Sequence, residues 1–398
     1  MISKNVSAGA AIIRNASPVL LVLGACLAWT NPATATDAET EATTWNLSGD
    51  LRAGYTASWR KPRAGERSSN DNARARLRVR LAGDFGNHWR FSSRVGGSYA
   101  SDQDGFDAYI RRYRPTGTGV NPGDTTVDEL FLGYTSPQSG WRMRLGRFYT
   151  SFKIPMVPDK SLDRNDGSNF NLGWTDGIHL QLPVANHWRA HLIGQLNSRR
   201  GNGNTTRPPL EFSDSGSRTS LFAALEATEN PGPLIQRMLS LTWMPDSLAT
   251  QGVTSEQRSD YLTVTLKTAA AWPLGHAGTR LIAAGEIGHA INRPDRAAMG
   301  LNGDQEVSGN GFQVGLSAYD LRPNHHLGLV YGRAQAGWLI SNDYRNNDEL
   351  VELRYQHRFN PDLSMEIRYR WRRELELPAD TNRPRRDQDT YARITLRF

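Results

Sequence analysis

Apolar and polar residues alternate along most of the chain with a period of two. Between residues 72 and 81 the alternation sets four arginines against four apolar residues: Arg74, Arg76, Arg78 and Arg80 against Ala75, Leu77, Val79 and Leu81. A period of two is typical of a β-strand, whose successive side chains point to opposite faces. One face of this strand should meet water or anions, and the other face an apolar phase.

The same alternation recurs in sixteen segments, most of them about ten residues long. The segments are 45–59, 73–85, 89–99, 127–135, 141–148, 174–182, 188–197, 219–228, 234–244, 260–272, 279–289, 311–320, 326–332, 349–359, 363–372 and 390–398. We interpret each of them as a strand with one apolar and one polar face.

The connections between these segments alternate between short and long. Short turns rich in Gly, Pro, Asn and His lie at 86–88, 136–140, 183–187, 229–233, 273–278, 321–325 and 360–362. Long polar segments lie at 60–72, 100–126, 149–173, 198–218, 245–259, 290–310, 333–348 and 373–389. This order is typical of a transmembrane up-and-down antiparallel β-barrel with long extracellular loops. The sequence therefore predicts an all-β fold of about 16 strands.

Three strands begin with tryptophan directly after a short turn, at Trp89, Trp141 and Trp188. In a membrane barrel, aromatic residues form a girdle at the boundary between lipid and water. We expect these three tryptophans to be part of such a girdle.

Residues 1–35 have the pattern of a cleaved export signal. Lys4 and Arg14 provide its positive charge, Val19–Trp29 its apolar core, and Ala33–Ala35 a cleavage site of small residues. We expect residues 36–398 to form a single barrel domain in the bacterial outer membrane. Beyond residue 35 there is no apolar run of the roughly 18 residues that a membrane helix needs, which excludes a helical membrane protein.

Cys26 leaves a second interpretation of the N-terminal segment open. Leu23-Gly24-Ala25-Cys26 resembles a lipoprotein processing site, in which the cysteine would carry lipid. Cleavage after Ala35 would instead remove the only cysteine of the chain, and with it any disulfide or thiol chemistry.

The charge of the chain comes mainly from arginine. Of 47 basic residues only Lys4, Lys61, Lys153, Lys160 and Lys267 are lysines, and the formal net charge is +7. If the apolar faces point outward, strand parity places nineteen basic and seven acidic residues on the inward face. This excess predicts a lumen that attracts anions.

We select ten basic residues as the candidate lining of this lumen. They are Arg52, Arg74, Arg76, Arg78, Arg80, Arg94, Arg142, Arg144, Arg368 and Arg370. For a single arginine, a neutralised or solvated wall residue is the simpler interpretation. The run from Arg74 to Arg80 differs because no acid interrupts it in the sequence.

The mature chain resembles the sixteen-stranded trimeric porins of Gram-negative bacteria over essentially its full length. L-G-R-F-Y-T-S-F-K at 145–153 is similar to the fifth strand of these porins, and the final Y-A-R-I-T-L-R-F, ending in Phe398, resembles their assembly signal. The resemblance implies a homotrimer in outer-membrane lipid through which small solutes diffuse passively. W-L-I-S-N-D-Y-R-N-N at 338–347 resembles a segment of the phosphate-selective porins.

The resemblance also implies that segment 149–173 folds into the barrel and narrows the pore. Its charged residues would then form the constriction: Lys153, Asp159, Lys160, Asp163, Arg164 and Asp166. Acids and bases are mixed in this set, so the sign of the constriction field stays open. We expect Arg76, Arg78 and Arg80 to face this segment across the narrowest section.

Two other classes of protein are alternatives to a channel. A hydrolase built on a barrel needs a nucleophile and a base; His179 and His191, expected to be direct neighbours across a turn centred on Ala185, are the best candidates for acid–base or metal chemistry. A secreted polyanion-binding protein would place aromatic residues beside its arginines, whereas here they lie on the opposite face. We expect no enzyme activity, no cofactor, no metal site and no nucleic-acid partner.

The acidic segment S-D-Q-D-G-F-D at 101–107 resembles the start of a calcium loop. The twelfth position of such a loop, where an EF-hand has glutamate, is Tyr113. An EF-hand is therefore excluded, and a solvated external loop is the simpler interpretation.

Overall fold

The computed structural model describes most of the chain after the expected export signal. The described ranges are 43–86, 88–102, 125–166, 169–185, 187–197, 208–212, 216–249, 257–275 and 278–398. The export signal predicted at 1–35 and most of the acidic segment 101–107 lie outside these ranges.

The described residues form sixteen strands. They are β1 (Thr44–Lys61), β2 (Ser68–Phe85), β3 (Trp89–Ala100), β4 (Thr125–Thr135), β5 (Arg142–Phe148), β6 (Thr175–Ala185), β7 (Trp188–Leu196), β8 (Thr219–Ala227), β9 (Leu234–Ala249), β10 (Arg258–Pro273), β11 (Arg280–Ala290), β12 (Asn310–Arg322), β13 (His325–Ala334), β14 (Asp348–Arg358), β15 (Leu363–Glu374) and β16 (Arg386–Arg397). Short 3-10 helices lie at Gly216–Arg218 and Ala297–Met299. In the described ranges, no helix has the length and apolar character needed to cross a membrane.

The sheet is closed by pairing of its first and last strands. Each strand pairs antiparallel with its neighbours in the chain, and β1 pairs with β16 from Asp50↔Arg397 to Lys61↔Arg386. At the end of this seam Gly49 N donates to Phe398 O at 2.7 Å. A closed sheet leaves no strand edge unpaired. The predicted antiparallel barrel of about 16 strands is confirmed.

The two faces of the barrel wall differ sharply in chemistry. Large apolar side chains stay exposed on the outward face, among them Leu145, Val314 and Ile394, each about half exposed. The residues between them in the chain point inward, and many of these are polar or charged yet buried. The predicted alternation of apolar and polar faces is therefore present around the barrel.

Aromatic side chains cluster on the outward face near the short turns. The rings of Trp89 and Tyr134 are 4.8 Å apart, and those of Tyr134 and Trp141 are 5.1 Å apart. The guanidinium of Arg237 lies 5.2 Å from the ring centre of Trp188. The tryptophans that follow the short turns therefore lie at one end of the barrel wall.

The first hairpin is longer than the polar pattern predicted. Segment 60–72 was expected to be a loop, but β2 begins at Ser68, opposite Arg60. Polar side chains bond across the hairpin here: Tyr55 Oη donates to the Asp71 carboxylate, and Thr56 Oγ1 to Asn72 Oδ1 at 2.7 Å. The sequence predicted a loop here because the residues are polar. Their side chains form hydrogen bonds with each other only when the two strands are paired, and the local pattern does not show that pairing.

The connection between β13 and β14 also differs from expectation. Segment 333–348 was predicted to be a long polar loop, whereas Trp338, Leu339 and Ile340 are buried. Trp338 Nε1 donates to Leu162 O at 3.0 Å, and Ser341 Oγ donates to Ser161 O at 2.8 Å. This connection therefore packs against the connection between β5 and β6.

Glycines on the inward face of β11, β12 and β13 make room for this packing. A Cβ at Gly315 would lie 2.5 Å from Met156 Cε, and one at Gly332 would lie 2.6 Å from Tyr344 Cε1. A Cβ at Gly288 would overlap the ring of Trp338. The wall lacks side chains at the points where the two connections approach its backbone.

We predict that Gly288→Val destabilises the barrel by about 1–3 kcal/mol, because the new side chain overlaps Trp338. Gly285→Val, three residues away on the outward face of the same strand, is the matched control, because a Cβ there meets only ordinary contacts. Urea unfolding of the refolded proteins measures the difference. Equal stability of the two variants would contradict the proposed packing.

Candidate functional site

Most arginines of β2 and β3 are bound to carboxylates. Arg76 lies 2.6 Å from Asp50, and Arg78 lies 3.0 Å from Asp128. Arg94 holds both oxygens of Asp128, with Nε–Oδ1 at 2.8 Å and Nη2–Oδ2 at 3.0 Å. No acid interrupts the run Arg74 to Arg80 in the sequence, but acids of the neighbouring strands β1 and β4 bind Arg76, Arg78 and Arg80.

A β-bulge in β4 supplies two of these carboxylates. Arg94 is opposite Glu129 and Val95 is opposite Val127, so the register shifts by one residue at Asp128. Asp128 and Glu129 are consecutive in the chain, but both are buried on the inward side. Glu129 reaches Arg80 at 2.8 Å and Arg94 at 3.2 Å. A bulge places two successive side chains on one face, which strict alternation cannot predict.

A second charged cluster lies on the inward face of β14, β15 and β16. Arg354 lies 2.5 Å from Glu352 and 3.7 Å from Glu366, while Arg368 and Arg370 share Asp389. The ion pairs of Arg354 with these glutamates lie both within β14 and between β14 and β15. Asp389 was missed because the predicted strand began one residue after it.

Acids missed by the sequence analysis reduce the positive excess of the inward face. Five lie on inward positions of the strands in addition to those predicted: Asp128, Asp348, Glu374, Asp387 and Asp389. Their partners include Arg63, Arg345 and Arg385, which lie in or beside connections between strands. The inward face is therefore more nearly neutral than strand parity indicated.

Most charged residues of the β5–β6 connection bind the barrel wall. Lys160 lies 2.8 Å from Glu352, and Asp163 lies 2.6 Å from Lys267. Arg164 Nη2 donates to Gln195 Oε1 at 2.6 Å. Asp166 Oδ2 accepts hydrogen bonds from Thr150 and Thr175, each at 2.7 Å. These four residues of the predicted constriction set are fixed in buried contacts.

The other two residues of that set keep contact with solvent. Lys153 Nζ lies 2.9 Å from Asp159 Oδ2, and Arg354 Nη1 donates to Asp159 Oδ1 at 2.9 Å. The Asp159 side chain is 41% exposed despite these two cations. Asp159 is therefore the carboxylate of the connection with most access to water.

The surroundings of the buried charged residues in this connection shift their pKa values. Burial lowers the pKa of Lys160 to about 8, although Glu352 opposes the shift. Burial would raise the pKa of Asp163, but the charge and hydrogen bond of Lys267 outweigh it and hold that pKa below its usual value. The Asp163–Lys267 pair therefore favours the ionised carboxylate.

The connection also bonds to arginines on both sides of the β1–β16 seam. Arg52 Nη1 donates to Asn169 O at 2.9 Å, and Arg393 Nη1 donates to Asn169 Oδ1 at 2.7 Å. Arg76 Nη1 donates to Asn171 O at 3.3 Å. Of the three arginines expected to face this segment, Arg76 contacts it, whereas Arg78 and Arg80 bind the acids of β4.

His179 and His191 are in contact, although their register differs from the prediction. His179 is opposite Ile193 and His191 is opposite Gln181, so the histidines are diagonal rather than direct neighbours. The turn is displaced because of an irregularity near Pro183. His179 Nε2 and His191 Nδ1 are 3.2 Å apart, and His191 Nε2 lies 2.9 Å from Glu226.

The hydrogen bonds around this pair form one directed chain. Arg144 Nη2 donates to His179 Nδ1 at 2.6 Å, so His179 Nε2 donates to His191 Nδ1, and His191 Nε2 donates to Glu226 Oε2. Both histidines satisfy this chain in their neutral form. Within the described ranges, no group of three His, Cys, Asp or Glu residues is placed to hold a metal ion.

Some arginines of the candidate lining stay accessible to solvent. The side chain of Arg80 is 36% exposed and that of Arg52 is 23% exposed, although both are paired with acids. Arg142 is exposed at the end of β5 near a short turn. Arg76, Arg78 and Arg94 are buried. Buried and accessible arginines are therefore mixed among the ten predicted residues.

Solved structures of porins share this architecture. Pseudomonas putida OprB aligns with a TM-score of 0.58 and 11% identity, covering 89% of this chain and 94% of its own. An anion-selective porin from Comamonas acidovorans has a TM-score of 0.53 and 12% identity, covering 90% and 100%. Pseudomonas aeruginosa OccK2, in complex with glucuronate, has a TM-score of 0.53 and 13% identity, covering 89% and 96%.

The chain has the fold of these porin barrels. At such low identity the similarity is one of fold. No protein-family model and no curated protein matches the sequence.

We predict that Asp128→Asn destabilises the barrel by about 3 kcal/mol, because it leaves Arg78 and Arg94 without their shared buried counterion. Asp84→Asn is the matched control, since Asp84 and Arg90 form an exposed pair at 3.4 Å that contributes about 1 kcal/mol or less. The unfolding midpoint in urea measures both. If Asp84→Asn lowers the stability of the barrel as much as Asp128→Asn does, this role of Asp128 is refuted.

Proposed function

We propose that this protein is an outer-membrane porin that lets small hydrophilic solutes diffuse passively, with a preference for anions. The observation that carries the proposal is the closed barrel with an apolar outward face and a charged inward face. A wall of this kind is stable in lipid and presents polar groups to an aqueous path. The homotrimer implied by the sequence resemblance is part of the proposal.

Within this proposal, segment 149–173 narrows the pore. Its contacts support this role, because it bonds to Arg52 on β1, Lys267 on β10 and Glu352 on β14. These residues are inward positions on widely separated strands. A segment tied to all three reduces the cross-section that is left for solutes.

Accessible guanidinium groups provide the preference for anions. Arg52 and Arg80 share their acids with other arginines, and Arg142 has no carboxylate partner among the described residues. Arginine keeps its charge in a basic surrounding and binds carboxylate or phosphate with a planar set of donors. A lining of this kind raises the local anion concentration, while moderate affinity lets the ion leave.

The similar structures are consistent with such a solute class. The Comamonas protein is described as anion-selective, and the OccK2 structure contains glucuronate, a small carboxylate. The proposed solutes are small anions as a class, and no single anion is specified. The resemblance to phosphate-selective porins rests on segment 338–347, and Trp338, Leu339, Ile340 and Tyr344 of that segment are buried.

The contacts of the histidine pair weigh against a hydrolase. In the described part of the chain, its polar contacts outside the pair are Arg144 and Glu226, and neither is a hydroxyl or thiol nucleophile. Phe152 packs against both imidazole rings, at 6.4 Å and 5.1 Å between ring centres. The geometry favours a structural hydrogen-bond chain in the barrel wall.

We predict that the refolded protein in a planar bilayer under a potassium chloride gradient gives a reversal potential that favours chloride. This preference should weaken as salt rises, because the Debye length is only about 8 Å at physiological ionic strength. The double variant Arg80→Gln/Arg142→Gln should lower the chloride preference about twofold or more, because two accessible lumenal charges are lost.

Arg373→Gln/Arg386→Gln is the matched control. It removes two exposed arginines from the outward face and should leave the ion preference unchanged. Preference for potassium in the wild type would overturn the anion assignment. The absence of any channels would overturn the porin proposal as a whole.

A further inference from the structure

Five charged side chains form one row across the outward face of β13, β14, β15, β16 and β1. The register pairs them in succession: Arg333 with Glu349, Glu349 with Arg373, Arg373 with Arg386, and Arg386 with Lys61. We call these five residues the rim row. Neighbouring strands lie about 4.8 Å apart, so the rim row is about 19 Å long. It lies at the end of the strands away from the short turns.

The rim row borders the exposed apolar band of the barrel. On each strand the next outward position lies two residues closer to the short turns. These positions include Tyr331, Trp371 and Trp59. Trp59 is 48% exposed, and the following outward level includes the exposed Tyr369. Aromatic residues of this kind mark the level where hydrocarbon gives way to headgroups. The rim row therefore lies at headgroup height if the barrel spans a membrane.

Most of the positive charge in the rim row is uncompensated. Arg333 lies 3.0 Å from Glu349, which also accepts a hydrogen bond from Tyr331. The side chains of Arg373, Arg386 and Lys61 have no hydrogen-bonding or ion-pair partner among the described residues. The arginines of the inward face, in contrast, are mostly paired with acids.

We propose that the rim row binds the phosphate groups of anionic lipids in the leaflet at this end of the barrel. The inference rests on the proposed membrane function. Phosphate oxygens accept charge-assisted hydrogen bonds from arginine, and the spacing of adjacent strands lets two guanidinium groups reach one phosphate. Cations next to an anionic membrane surface also gain from its potential. Glu349 binds Arg333, so the free part of the row is Arg373, Arg386 and Lys61.

The test uses the full barrel in phosphatidylcholine bilayers with a trace of spin-labelled lipid. Electron spin resonance measures how much labelled phosphatidic acid, compared with labelled phosphatidylcholine, is immobilised at the protein surface. The wild type should prefer phosphatidic acid. Arg373→Gln/Arg386→Gln should lower this preference about fivefold, because two of the three free cations are lost.

Arg80→Gln/Arg142→Gln is the control, because it removes the same charge from the inward face and should keep the lipid preference. A wild type without preference, or an equal loss in the control, would overturn the inference. In detergent without lipid, the phosphorus resonance of inorganic phosphate should broaden equally with wild type and rim variant. If the broadening is lost only with Arg373→Gln/Arg386→Gln, the rim row binds free phosphate, and the lipid assignment is refuted.

Conductance of the same bilayers separates this inference from the proposed function. A barrel that conducts without any lipid preference would overturn the rim row assignment alone. A chain that forms no channels would overturn the proposed function, and the rim row assignment with it.

Discussion

Pairing of β1 with β16 closes the sheet and thereby governs the whole barrel. It removes both edges of the sheet, so the backbone groups of all sixteen strands can be hydrogen-bonded within the protein. Only a closed sheet can present an apolar outer surface without exposing unpaired backbone groups to it. Closure also turns every polar face toward one enclosed space, where the charges must be arranged together.

Most of the enclosed charges in the described part of the chain are paired with a charge of opposite sign. A buried ion without a counterion is costly, and the bulge in β4 places Asp128 and Glu129 where Arg78, Arg80 and Arg94 need them. Such pairs hold adjacent strands together and leave accessible charge at a few positions only. An arginine-rich wall can therefore be stable while a small part of its charge remains available to solutes.

The packing of the β5–β6 and β13–β14 connections against the wall depends on glycines as well as on ion pairs. Inward glycines on β11 to β13 let Trp338, Met156 and Tyr344 approach the sheet backbone, while acids and bases fix the rest of the β5–β6 connection. The wall thus has charged side chains where its own residues form pairs. It has glycines, without side chains, where the two connections pack. Apolar packing and ion pairing together hold the β5–β6 connection, whose described residues form no helix or strand.

The sequence alone determined the number of strands, their order and which residues face outward, because a period of two and alternating turn lengths are local properties. It also placed the candidate arginines on the inward face. Which of those arginines remain free depends on the folded barrel, since Asp128 and Asp389 join them through a bulge and a strand extension. Cross-strand partners, register shifts and the packing of connections depend on residues far apart in the chain, and no local pattern contains that information.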